Sequence, residues 1–148
     1  MPMVDLIDET FVVAAPADVA AALHDEALWR ELWPGLELVV FQDRAEQGLR
    51  FTVTGALVGT SELWVEPYAD GAIVHYYCRC DVTRRGSATE PVTGPPRRLA
   101  RTALHATRAH AIATKAGVNR LKDRLEAGRP PGEPRDSAAR SQEVTPNG

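Results

Sequence analysis

Several things are scarce in this chain, and each scarcity closes off a class of protein. Its 148 residues contain two cysteines, Cys78 and Cys80, too few for the disulfide framework of a small secreted domain. They stand at i and i+2 in a β-rich stretch, a poor geometry for bridging to each other, so reduced thiols are expected. No apolar run approaches the ~18 residues of a membrane span. The N-terminal MPMVDLIDETF is acidic and lacks the basic start of a secretory signal. Together these features predict a cytoplasmic protein without a membrane span. No GxSxG, HExxH, GxGxxG, P-loop or CxxC occurs, so no sequence motif announces a reaction. No internal repeat is visible either.

What remains is ordinary globular material, 44% hydrophobic and 25% charged, enough for one domain that buries roughly 70% of its unfolded surface. The net charge of −3 is unevenly spread. Residues 1–96 carry 6 basic and 15 acidic side chains, whereas residues 97–129 carry 9 basic and 2 acidic. Two readings fit: a binding surface, or two parts of one fold that attract each other.

Residues 4–15, VDLIDETFVVAA, alternate as a strand, with Ile7, Phe11 and Val13 on one side and Glu9 sharing their inward parity. Pro16 opens a helical stretch, PADVAAALHDEALWRELW, which breaks near His24-Asp25 into two short helices and stops at Pro34-Gly35. Four strands follow, LELVVFQD, GLRFTVTGAL, TSELWVEPYA and AIVHYYCRCDV. Residues 84–96 read as a loop, and a proline-free helix extends from there to about Arg129. Residues 130–148 are polar and proline-rich, a tail expected to be disordered. The domain is therefore drawn at 1–129.

Asp70-Gly71 is a two-residue turn signal that predicts a hairpin register. It sets Val65 opposite Tyr76, Leu63 opposite Cys78 and Ser61 opposite Cys80, with Glu62–Arg79 and Trp64–Tyr77 on the other face. A loop at Leu57-Val58-Gly59 aligns Val53 with Leu63 and Phe51 with Val65. The predicted interior face is Phe51, Val53, Ser61, Leu63, Val65, Tyr76, Cys78 and Cys80. On the long helix, Leu99, Ala103, Ala106, His110, Ala113, Gly117 and Leu121 fall in one stripe of small side chains. Arg101, Arg108, Lys115 and Lys122 fall opposite, and a solvated face is the expectation for them. The small stripe either permits close contact with the sheet or leaves volume between the two.

The order of elements resembles the helix-grip fold, and the chain looks like the START-like polyketide cyclase/dehydrase and lipid-transport superfamily (SRPBCC). The resemblance is carried by FVVAAPADVAAAL, LWRELWPGL, LWVEPYADGAIVHYYCRCD and KAGVNRLKDRLE. It implies an α+β domain with a curved antiparallel sheet wrapped round one long C-terminal helix. It also implies an apolar cavity between the two, with the short helices at its mouth. Five strands stand where fuller members have seven, which implies a smaller or more open cavity. On that reading Phe11, Trp33, Phe51, Val53, Leu63, Val65, Tyr76, Cys78, Ala106, His110 and Ala113 would touch a ligand.

Glu9, Tyr76 and His110 are the candidate catalytic groups, a minimal acid–base set if they meet. Each has a structural alternative: a carboxylate in water, a core tyrosine, a hydrogen-bonded buried histidine. Trp29 and Trp33, four apart, either plug a core or roof a cavity. His75, Cys78 and Cys80 do not converge on a metal, because His75 points to the other face of its strand. No metal or cofactor is expected. The first expectation is binding or carriage of a small lipid-like, polyketide or aromatic molecule. A cyclase/dehydrase-type enzyme and a ligand-free module acting through its basic helix are the alternatives. No nucleic-acid partner is expected, and a homodimer is left open.

Overall fold

In the computed structural model, which describes residues 2–126, strand β1 (Val4–Val12) leads into α1 (Pro16–Leu23) and α2 (Glu26–Leu32). Then come β2 (Leu36–Asp43), β3 (Gly48–Gly55), β4 (Leu57–Tyr68), β5 (Gly71–Val82) and the long α3 (Pro96–Glu126). All five strands form one antiparallel sheet in the order β1-β5-β4-β3-β2. This is the helix-grip arrangement, α+β with two short helices after the first strand. The boundary at 129 and the tail at 130–148 lie outside the described residues.

Local chemistry sets the helix ends. Pro16 occupies the first turn of α1, where its missing N–H costs nothing. The Asp25 carboxylate accepts from the Ala27 amide and caps α2. Trp33 leaves the helix at φ −135°, ψ 69°, and Pro34-Gly35 carries the chain into β2.

The eight predicted interior residues of β3–β5 are all buried. Their partners differ from prediction. Val65 pairs with Val74, Leu63 with Tyr76 and Ser61 with Cys78, a slip of two residues, because the turn forms at Ala69-Asp70 with Ala69 at φ 50°. Glu62 consequently faces Tyr77, and Trp64 faces His75. Between β3 and β4, Val53 pairs with Gly59 and Phe51 with Ser61, since Leu57-Val58-Gly59 is strand rather than loop. Both slips are even, so each side chain keeps its face.

On β1 the expected face is inverted. Ile7 is 64% exposed, Glu9 is exposed, and Phe11 packs edge-on against Tyr68 with ring centres 6.1 Å apart. Val4, Thr10 and Val12 are the buried positions. The reason lies on α3: Lys115 Nζ reaches Asp8 at 3.1 Å and the Thr10 hydroxyl at 2.8 Å. Inward-facing polar residues satisfy that ammonium where apolar ones were expected.

The long helix also departs from its expected stripe. Its buried residues are Thr114, Gly117, Val118, Leu121 and Glu126, so full burial is confined to the C-terminal half. Lys115 and Lys122 do not point freely into solvent: they donate to the Glu9 and Phe11 carbonyls at 3.0 and 2.7 Å. Arg120 and Arg124 pair with Glu31 of α2 at 3.4 and 3.3 Å. The basic helix and the acidic body are thus two parts of one fold in contact, while Arg101 and Arg108 stay exposed.

Candidate functional site

The concave face of the sheet is filled. Val19, Leu23, Leu28, Trp29 and Leu32 of α1 and α2 form one core with Phe51, Val53, Leu63 and Val65. Trp29 meets Phe51 edge-on at 4.9 Å and donates its indole N–H to the Leu23 carbonyl at 2.7 Å. It is a plug. The four expected ligand contacts on β3 and β4 are therefore core residues. Phe11 and Glu9, on the outer face, are likewise displaced from the interior; Glu9 lies 3.4 Å from His75 there.

Open apolar space is found at one end of the sheet instead. A cleft of about 350 Å³ lies between the turn after α2, the ends of β4 and β5, and α3. Trp33, Pro34 and Leu36 form one wall, Leu57 and Val82 the floor, and Ala106, Ala109, His110 and Ala113 the other wall. Four of the expected contacts, Trp33, Ala106, His110 and Ala113, border it. Leu36, Leu57 and Val82 escaped sequence reasoning because they sit at strand ends, where pairing rather than periodicity decides what meets what. Ala113 is exposed because nothing packs on it from the sheet.

Trp33 marks the inner end of the cleft. Its ring stacks on Tyr76 at 5.0 Å, lies 6.4 Å from His110, and its N–H donates to the Thr114 hydroxyl at 2.9 Å. Tyr76 Oη and His110 Nε2 are 2.7 Å apart. Burial, with the Cys78 charge beside it, pushes the phenol well above its ordinary range, so it keeps its proton and can donate to the imidazole. Tyr76 and His110 meet, and Glu9 does not join them.

Cys78 is one residue removed from the cleft, behind His110. Hydrogen bonding from Cys80 draws its thiol down to about 5 against the opposing effect of burial, with His110 and Tyr76 adding to the pull. The Cys80 thiol, paired with Cys78 and buried, is pushed up. It points to the Thr60 carbonyl at 3.6 Å. The Ser61 hydroxyl on the neighbouring strand is buried without a hydrogen-bond partner. His75 lies on the opposite face, stacked between Trp64 at 4.4 Å and Tyr77 at 6.2 Å. Among the described residues, no group of three or more His, Cys, Asp or Glu side chains is arranged to hold a metal ion. No described helix is long and apolar enough to cross a membrane.

Among solved structures, the chain is similar to the Aha1 dimer from Colwellia psychrerythraea. The two are 12% identical with a TM-score of 0.51, over 86% of this chain and 99% of that one. It is also similar to the di-domain ARO/CYC StfQ from the steffimycin biosynthetic pathway, at 13% identity and a TM-score of 0.45. That match covers 82% of this chain and 51% of StfQ, about half its length. A third similar structure is Ara h 8.0201, at 11% identity and a TM-score of 0.32, over 76% of this chain and 95% of that one. No family model and no curated protein sequence matches the chain. The Aha1 match shows a shared fold, here the helix-grip arrangement of sheet and long helix.

Proposed function

We propose that this protein of helix-grip fold binds a small apolar molecule, lipid-like, polyketide or aromatic, in the cleft between the turn after α2 and the first half of α3. The observation that supports it is the cleft itself, about 350 Å³ walled by Trp33, Leu36 and three alanines of α3. Exposed apolar concavity of this kind is the usual form of a small-molecule site. Trp33, 3% exposed and stacked on Tyr76, closes the inner end of the cleft, and His110 is the polar group beside the ligand.

The test is binding of an apolar fluorescent probe to the wild type and to Ala113→Leu. The added side chain enters open space, so the melting temperature stays within a degree or two while probe affinity falls at least tenfold. Retention of full affinity by the leucine variant would remove the cleft from consideration.

The 2.7 Å contact between Tyr76 and His110 supports a second reading, acid–base chemistry on a bound carbonyl compound. A ligand returned chemically altered by the wild type and intact by His110→Ala would mark the enzyme.

A further inference from the structure

The two edges of the sheet are treated differently. On β1, α3 closes the free edge: Lys115 and Lys122 occupy the outward carbonyls of Glu9 and Phe11. On β2, among the described residues, the backbone of residues 37–42 bonds to nothing except β3. Its sequence, LELVVFQD, contains no lysine, arginine or proline, the residues that commonly blunt an edge. Its one irregularity is a register shift at Phe41, between Val40 and Gln42, so residues 36–40 are the regular stretch open to pairing. Val39 and Phe41 stand 58% and 52% exposed on its outer face. A groove of about 280 Å³ between α2 and the start of β2 leaves the approach clear.

We propose that β2 pairs antiparallel with β2 of a second copy of this chain, joining two five-stranded sheets into one. The Val39 carbonyl faces β3, where the Thr52 hydroxyl reaches it at 3.4 Å, so the alternate residues Leu38 and Val40 present their N–H and C=O groups outward. A twofold axis through Val39 sets Leu38 against Val40 of the second copy and Val40 against its Leu38. Four backbone hydrogen bonds result, with every side chain kept on its own face. Glu37 then lies opposite Phe41 of the second copy. Arg50, whose guanidinium carbon lies 5.8 Å from the Phe41 ring centre and which also meets Glu62 at 3.6 Å and Gln42 at 3.2 Å, adds that carboxylate to its partners. Moving the axis to Val40 would instead oppose Glu37 to Asp43, a like-charge pair. Self-pairing about Val39 opposes no like charges and brings Glu37 toward Arg50, and that charge complementarity selects a second copy over an unrelated peptide.

Sedimentation of the full chain should give the mass of two chains. Val39→Lys places two ammonium groups on the axis, so this variant should sediment as a folded monomer whose melting temperature, unlike that of the wild type, does not depend on protein concentration. Val39→Cys should form a covalent dimer under mild oxidation, because the axis pair is of the close, non-hydrogen-bonded type. Ile7→Cys, equally exposed on the opposite edge, should not. A monomeric wild type, a Val39→Lys variant that remains dimeric, or equal cross-linking from residue 7 would overturn the proposal.

Discussion

His24 shows how one side chain fixes several elements at once. It closes α1, its Nδ1 donating to the Ala20 carbonyl at 2.7 Å, while Nε2 reaches Asp43 at the end of β2 at 2.9 Å. Burial works against its charge, but the Asp43 carboxylate and the Ala20 carbonyl outweigh burial and raise its pKa above the ordinary 6.5. A cation also suits the negative end of a helix. Asp43 is held below its ordinary 3.8, first by His24 and then by the Ala45 amide. The raised histidine contributes fully below 6.5 and loses its contribution as pH rises through its folded value. The lowered aspartate contributes fully above 3.8 and loses its contribution as pH falls through its folded value. Between those two pH values both are present. His24→Gln should therefore destabilise the protein at about pH 5.5 by roughly 1 kcal/mol or less, since the pair is partly exposed. The difference should shrink at about pH 8.5, as denaturant titrations of both proteins at the two pH values would show.

Contact between elements depends on small residues as much as on large ones. Gly117 sits where α3 crosses α2, and a Cβ there would lie 2.1 Å from the Leu32 side chain. Leu32 is itself 2% exposed and borders the cleft, so it can retreat only toward the cleft. Gly117→Val should cost about 1–3 kcal/mol through overpacking. It should also shift apolar-probe binding, because Leu32 is displaced toward the cleft; an unchanged melting temperature would show that the two helices are not held at this point. The sequence made the faces of β3, β4 and β5 legible, because alternation survives any even slip. It did not reveal their partners, because Ala69 in a left-handed conformation moved the turn from where Asp70-Gly71 pointed. The face of β1 was illegible for another reason. Asp8 and Thr10 face inward to meet Lys115, 105 or more residues later in the chain, and no local pattern encodes that. The site was legible only where α3 and the tryptophan-proline turn carry it. That Trp29 and its neighbours fill the concave face is a matter of side-chain volume, which periodicity does not report.

At the scale of the whole molecule, α3 is two helices in energetic terms. From Thr114 onward it is anchored by Val118 and Leu121 in the core, by Lys115 and Lys122 on β1, and by Arg120 and Arg124 on α2. Before Thr114 none of its residues is buried; His110 and Thr107 reach Tyr76 and the Met3 carbonyl, while Ala106, Ala109 and Ala113 face the open cleft. Local opening free energies follow such differences in anchorage. Amide hydrogens of residues 100–112 should exchange with solvent orders of magnitude faster than those of residues 115–125, though the same helix contains both. The cleft wall is thus drawn from the less protected half. An apolar ligand would then reveal itself by slowing exchange in the first half of α3 and leaving the second half unchanged.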